Sequence, residues 1–573
     1  MKNHLTSEIL CKIRVHSTIE RLWVNLSLFI VAFSFFPQYS NIKFPLYVNL
    51  NHSGIVLMFG LILMSLCSIH KLKLRGFTNV TMLILLLITV YCVFAILLKW
   101  LCSDFSILRI VCFVISVYLL NAYIGFYEHK NITLVRGYLL LFLVGYVGYC
   151  GYYKYYYNFS YNTYEVVLTA CLISGFSAGL GNKSLDNNRD IICSIFHWLI
   201  VAFSFTVACV LYSRIGIISI IYILAYSLKV KVPKFVLLTM LVGTILFVFA
   251  VKTESTKGRI FIAKCSLTLN NNVKEVLFGG GDVKFDREYM QRQGVLLQEE
   301  DHDMKFRADD MRSPLNEYIN CYISFGILGL SILSSIILFV ARNMKRSQCK
   351  YQCMFYVLLM FFATTCCLSY PITIFCVALI CLETVNNIDF HVRFPSWVLG
   401  LICVATLSYC CYFLYSRNRI YSDWRKAHTL FQLGKERESL ELYSSLSSLK
   451  NEEIIFNYAS VLLASNRAAQ AKNILNEMTY DNYQIRMLKG EISMMLKQEA
   501  DAIEHFSEAS MMCPNRFLPL FHKYLIYYNK GDSLQCDLLR NEINNKQIKV
   551  HSKILDDILK IINSDETYDK NII

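Results

Sequence analysis

Two arginines stand at the borders of apolar runs, where a guanidinium keeps its charge and can grip phosphate oxygens two at a time. Arg214 lies in the string LYSRIG between two such runs, and Arg259 lies in TKGRIF at the head of a long polar segment. An arginine at a bilayer border also serves as a snorkelling anchor, so position alone leaves both roles open for Arg214. Further along, LFGGGD presents Gly279, Gly280 and Gly281. Three glycines can form a phosphate nest or simply a turn, and this run lacks the Lys-Ser/Thr of a P-loop and the flanks of a dinucleotide fold. The pair Asp309-Asp310 could hold a divalent cation, yet adjacent carboxylates on a polar loop are commonly just solvated, and no His or third carboxylate stands at ligand spacing. Asn316 and Glu317 precede an apolar run, where they read either as site residues or as caps of the next helix. With no CxxC pair and no Cys/His spacing for zinc, neither a metal nor a cofactor is expected.

The elements that must position these residues follow from composition. A chain of 573 residues that is 55% hydrophobic and 17% charged does not describe a soluble protein. Its aromatic content of 14%, with 8 Pro and 24 Gly, excludes collagen-like, low-complexity and disordered classes. The formal charge of +14 would invite a nucleic-acid partner. From Arg417 onward, however, the two signs balance, which leaves the whole excess in the hydrophobic part. That is the pattern of cytoplasmic loops, and no nucleic acid is expected. Most of the 22 cysteines lie inside apolar runs, such as Cys366-Cys367 and Cys410-Cys411, where Cys is a small hydrophobe.

Apolar runs long enough to cross about 30 Å of hydrocarbon recur near residues 22–36, 54–69, 80–98, 105–124, 134–152, 165–181, 191–211, 215–228, 235–251, 318–341, 352–369, 371–386 and 396–416. The first follows Lys12, Arg14 and Arg21 without a small-x-small cleavage site, so a retained helix is expected. Basic residues at the N-terminus, Lys71/Lys73/Arg75, Lys183/Arg189, Lys229/Lys231/Lys234 and Arg342/Lys345/Arg346/Lys350 fall on every second side, which marks that side as cytoplasmic. The segment 252–317 and the Tyr-rich loop 152–164 then lie outside, and an odd span count places the tail there too. If Pro371 kinks one long helix instead of separating two, the tail flips. From Tyr421 the chain becomes a soluble helical domain, with breaker positions at Gly434, Asn466, Lys497 to Glu499 and Gly531, roughly every 32 to 34 residues as tetratricopeptide-type repeats require. The expected fold class is all-α. A polytopic transmembrane bundle of about 12 to 13 spans occupies residues 1–416 and carries an extracytoplasmic loop at 252–317, and a helical-repeat domain follows at 421–573.

The order SRIG after a span, GRIF at the head of a large outer loop, a Gly-rich stretch, the tyrosine and glutamine of EYMQRQ, and N-E-Y-I before FGILGL resembles the bacterial O-antigen ligase and polymerase superfamily, including the membrane protein O-oligosaccharyltransferases. The likeness covers residues from about 190 to 342, and the wider layout is similar to Bacteroidetes-type members with C-terminal tetratricopeptide-like repeats. It implies a bacterial cytoplasmic-membrane enzyme that moves or polymerises a polyprenyl-pyrophosphate-linked oligosaccharide at the outer, periplasmic face, onto a glycan, lipid or protein acceptor, with no cofactor or obligatory metal. Arg214 and Arg259 match the family's arginines and would stabilise the departing pyrophosphate. Asn316, Glu317 and Asp310 fall where the acceptor would be activated. Arg312, Gly279, Gly280, Gly281, Tyr289, Gln293 and Tyr318 would shape the substrate site. Many members carry a histidine beside the asparagine that ends this loop, whereas here Ser313, Pro314 and Leu315 precede Asn316. Glu317 and Asp310 are the candidate substitutes, and His302 stands too far along the chain to be equated with it.

Two other readings differ in class. A transporter or flippase for lipid-linked glycans predicts buried midplane charges and matching halves. Arg109 and Glu165 instead lie near span ends, and the halves show no matching hydropathy. A non-catalytic assembly scaffold would use the repeats to bind a partner protein and keep the loop as a vestige; the absent histidine suits it.

Overall fold

Long apolar runs with few breakers can satisfy their backbone only as helices in a non-aqueous setting, and the polar tail carries apolar residues at helical spacing. Both become helices, and no strand occurs among the described residues. The computed structural model describes residues 132–157, 163–180, 188–228, 253–346, 350–385, 408, 412, 415–416, 419–449 and 451–563. The expected spans before residue 132, that over 235–251 and most of that over 396–416 lie outside them, as does much of the Tyr-rich loop. The chain divides into two compact units. One comprises residues 1–251, 315–318 and 328–418, and the other 252–314, 319–327 and 419–573. Segment 252–314 therefore groups with the tail and not with the apolar helices that flank it in sequence.

The apolar unit contains α1 (Ile132–Tyr157), α2 (Thr163–Gly179), α3 (Asn188–Val210) and α4 (Arg214–Ser227). Among the described residues, three helices are long and apolar enough to cross a membrane, over Val135–Tyr152, Ile191–Val210 and Glu317–Met344. Helices α2 and α4 are apolar but shorter, as are Gln352–Phe362 and Ile372–Cys381. At 1.5 Å per residue, a helix of 17 residues reaches only about 26 Å against the ~30 Å of a hydrocarbon core. Helix α2 is buried along almost its whole length and packs against α1, α3 and α4. Two hydroxyls at its interface with α3 are paired: Ser174 donates to Ser204 at 2.8 Å, and Ser204 donates to the Ala170 carbonyl at 3.1 Å.

One end of this unit is a polar layer. Arg136, 1% exposed, donates to the Ser177 carbonyl at 2.9 Å and to the Cys193 carbonyl at 3.0 Å. His197 lies between the hydroxyls of Ser177 and Ser227, 3.0 Å from each. Because Ser177 closes α2 and Ser227 closes α4, both helices finish at this layer and start at the opposite end. That opposite end holds the first turns of α2 and α4.

The run expected as a single span over 352–369 ends early. Tyr370 is extended (φ −102, ψ 131), as a residue before proline prefers, and Pro371 starts a new helix where its missing N–H costs nothing. Pro371 thus separates two helices, Gln352–Phe362 and Pro371–Val385, with a 3-10 turn at Cys367–Ser369 between them.

In the second unit, α5 (Thr253–Leu267), α6 (Val273–Phe278), α7 (Lys284–Leu297) and α8 (His302–Arg307) form the polar segment. They are followed by α9 (Glu317–Arg346), which is broken at Gly326 (φ 66, ψ −163). The apolar unit resumes with α10 (Gln352–Phe362) and α11 (Pro371–Val385). The tail stacks helices in sequence: α12 over 419–432, α13 (Glu436–Ser447), α14 (Glu452–Ala464), α15 (Ala468–Leu475), α16 (Tyr483–Met495), α17 (Glu499–Met512), α18 (Leu518–Lys530), α19 (Ser533–Asn545) and α20 (Lys553–Asn563). From α13 to α20 each packs on the next. Left-handed residues at Gly434, Asn466, Lys497 and Gly531 reverse the chain within successive pairs.

Polar segment and tail share one core: Phe261, Cys265, Phe285, Tyr289 and Leu297 pack with Met512 and Cys513. Asn515 donates to the Ala308 carbonyl at 2.6 Å, and Gln293 to the Met512 carbonyl at 2.8 Å. Asp309 receives Arg516 at 2.6 Å and Lys549 at 3.3 Å. Burial is the largest influence on Asp309 and works upward, but the Arg516 hydrogen bond, the Asp310 amide and the two cations outweigh it and hold the carboxyl below its ordinary range.

A buried histidine in the tail gives a pH-dependent stability. His522, 7% exposed, stacks on Phe506 with centroids 4.8 Å apart. Burial pushes its pKa from 6.5 down to about 4. The unfolded chain then binds the proton more tightly, so stability is full above the unfolded value and falls as pH drops through 6.5 toward 4. The loss is on the order of 3 kcal/mol. Neighbouring Glu491, 3.7 Å away, is pushed up by burial to about 7, and its contribution falls in the opposite direction, as pH rises. His522→Gln is expected to flatten the acid limb of the full-length protein's thermal midpoint between pH 7.5 and 4.5. Parallel curves for the two proteins would contradict this.

Candidate functional site

The residues singled out in sequence fall into two groups. In the apolar unit, Arg214 opens α4 directly after Ser213, whose hydroxyl accepts the Gly216 N–H at 3.2 Å and caps the helix. A Cβ on Gly216 would meet Val167 Cγ1 at 2.3 Å, so glycine lets the first turns of α4 and α2 touch. Glu165, in the first turn of α2, is half-buried. Tyr370, in the turn before α11, is an electrostatic neighbour of Glu165 and of Cys367.

Asn316 and Glu317 reach the same turn. The Asn316 amide donates to the Ala363 carbonyl at 3.0 Å, while its oxygen accepts the Tyr318 N–H at 2.9 Å. The helix-cap reading of Asn316 is therefore realised, whatever else the residue does. Glu317 is 4% exposed and accepts the Leu368 N–H at 3.2 Å. Tyr318 sets its ring edge-on to Phe362, with centroids 6.2 Å apart. Arg214, Asn316, Glu317 and Tyr318 thus belong to one unit, together with Glu165 and Tyr370.

The remaining residues belong to the second unit. Arg259 sits half-buried on α5. Gly279, Gly280 and Gly281 are not left as an open nest. Their amides donate to the carbonyls of Glu275 at 2.7 Å, Ile323 at 3.0 Å and Ser324 at 3.1 Å. The last two acceptors are carbonyls that the break at Gly326 releases from the α9 ladder. Gly280 also leaves room for the Lys284 stem, which a Cβ would meet at 2.0 Å. Lys284, 3% exposed, pairs with Glu275 at 2.6 Å. The glycine run is a backbone crossing whose donors are already engaged, which removes the physical basis for the phosphate-nest alternative.

Tyr289 is fully buried and stacks on Phe285, with centroids 4.4 Å apart. Gln293, 1% exposed, bridges the Asp309 and Met512 carbonyls at 3.2 and 2.8 Å. Both are packed into the segment-to-tail core. Asp310 faces Arg312 at 3.3 Å, and Arg312 also donates to Gln484 at 3.3 Å. The Asp309 and Asp310 carboxylates thus face the chain's own Arg516, Lys549 and Arg312.

Sequence reasoning passed over Glu165 and Tyr370 as site members. Glu165 carried a legible signal, a lone carboxylate opening an apolar run. Tyr370 had none, because its place depends on the reversal before Pro371. No family model, curated protein or solved structure matches the chain.

Proposed function

We propose that the chain is a polytopic membrane glycosyltransferase of the O-antigen ligase/polymerase type. It takes a glycan from a polyprenyl-pyrophosphate carrier at the outer face of a bacterial cytoplasmic membrane. The observation that carries this reading is the grouping of Arg214 with Glu165, Asn316 and Glu317 within one apolar helical unit. A guanidinium at a helix N-terminus suits a diphosphate, because its charge and the positive end of the helix dipole act together. Arg259, in the other unit, is the further cation that the resemblance assigns to the diphosphate. The leaving group departs already activated, so the protein has only to stabilise its charge and orient the acceptor hydroxyl.

The core shared by 252–314 and the tail supports the topology that this function needs. Two segments packed into one body occupy one aqueous compartment, so the chain between them crosses the bilayer an even number of times. The tail, as a tetratricopeptide-like stack, would brace the outer segment and offer its remaining faces to an acceptor or a partner protein.

The test is full-length protein in liposomes supplied with lipid-linked oligosaccharide extracted from the source cells. Release of free polyprenyl diphosphate with appearance of transferred glycan is expected. Movement of the intact lipid-linked sugar across the bilayer without release would replace this reading with a transporter.

A further inference from the structure

We propose that the seam between segment 252–314 and the tail is a reversible closure, held by polar contacts at its rim and poised to part because the Tyr289 hydroxyl is left unpaired inside it. The closure lies within the second unit, and it does not depend on the transferase reading.

The apolar content of the seam is small. Among the described residues, the tail contributes Met512 and Cys513 to the shared core, with Tyr483 partly buried beside them. Most of what crosses the seam is polar: Asp309 meets Arg516 and Lys549, Arg312 donates to Gln484, and Gln291 donates to Asp481. The Asn515 amide adds the Phe306 and Ala308 carbonyls at 3.3 and 2.6 Å. Water replaces contacts of this kind at small net cost. At Gly294, helix α7 closes on α17 by direct backbone approach, since a Cβ there would meet the Met511 backbone at 3.3 Å. No side chain of residue 294 interlocks with the tail, so the two helices can part there without a rotamer change.

The closed state also forfeits hydrogen bonds. Tyr289 is 0% exposed and its hydroxyl has no partner, although the Cys265 thiol of α5 and the Cys513 thiol of the tail are its electrostatic neighbours. The side-chain oxygen of Asn515 is unpaired as well. Both groups are hydrated once the seam opens, so water recovers what closure gives up. That recovery offsets part of what the rim contacts supply and keeps the two states within reach of each other.

The buried thiols report the opening. Cys265 and Cys513 belong to the shared core and are 0% exposed, while Cys536 sits in a separate core of the tail and serves as the internal reference. Where closing outruns the reagent, the labelling rate follows the population of the open form.

The test is maleimide labelling of the full-length protein in detergent micelles, read cysteine by cysteine by peptide mass spectrometry. In the wild type, Cys265 and Cys513 are expected to label together and faster as salt is raised toward ~1 M, with Cys536 unmoved. Tyr289→Phe removes the unpaired hydroxyl and keeps the stack on Phe285. It is expected to slow labelling of both thiols by about 5- to 150-fold, the cost of leaving one buried hydroxyl unbonded. Asp309→Asn gives up the carboxylate that receives Arg516 and Lys549, and should speed both thiols a few-fold without changing Cys536. Unchanged or faster labelling in Tyr289→Phe would show the hydroxyl to be satisfied in the closed state. Labelling unmoved by salt or by Asp309→Asn would make the seam a permanent core. Either result overturns the proposal, and neither touches the transferase reading, which the liposome assay measures separately.

Discussion

Alanine at Gly326 is expected to destabilise the second unit by roughly 3 kcal/mol or more, lowering the amount of full-length protein recovered from membranes several-fold. Gly326 (φ 66, ψ −163) and Gly279 (φ 77, ψ 174) both occupy a region of backbone space that is essentially glycine-only. They also face each other. A Cβ on Gly326 would meet the Leu277 backbone at 2.4 Å, and one on Gly279 would meet the Ser324 backbone at 2.3 Å. Neither neighbour is the end of a flexible side chain, so the strands of the crossing must part. The Gly280 and Gly281 amides then lose the Ile323 and Ser324 carbonyls. Gly279→Ala should cost as much, and the double variant less than the sum of the two, because the pair shares one contact. Thermal midpoints and membrane abundance of the three proteins check this. Wild-type midpoints for both single variants would show that the crossing is not as described.

Arg214→Ala and Arg259→Ala are each expected to cut glycan transfer by about 10²- to 10³-fold, the cost of removing one preorganised group that stabilises charge developing in the transition state. Membrane abundance should stay near wild type, since Ser213 and the Gly216 contact still start α4 without the guanidinium. Lysine at either position should restore activity only in part: it keeps the charge but lacks the planar fork that holds two oxygens together. Surface glycan and protein level, measured in the same cells, give the comparison. Full transfer by both alanine variants would leave the arginines as interfacial anchors and the chain as a scaffold.

Much of the tail could be read from residues alone. Gly434, Asn466 and Gly531 reverse the chain where their types favour a left-handed backbone, and Asn451, Asn482 and Asp532 cap the helices that follow. Asn316 likewise announced its cap. Apolar runs were a poorer guide to helix length, because hydropathy does not register the turn that Pro371 imposes between Phe362 and the next helix. The long-range pairings were not legible at all. Gln293 meets Met512 across 219 residues of chain, and nothing in EYMQRQ distinguishes a side chain that clamps a core from one that faces a substrate. The same holds for GGGD, whose purpose becomes visible only when the break at Gly326 lies beside it.

The central claim is that the chain grips the diphosphate of a lipid-linked sugar through guanidinium groups. Its most direct measurement is the binding of undecaprenyl diphosphate, against undecaprenol, to full-length protein in liposomes, for the wild type and for the Arg214→Ala and Arg259→Ala variants. The wild type is predicted to prefer the diphosphate by at least about tenfold, in a manner weakened by salt, and each alanine variant to lose most of that preference. Equal affinity of the wild type for the two lipids, or an unchanged preference in both variants, would contradict it.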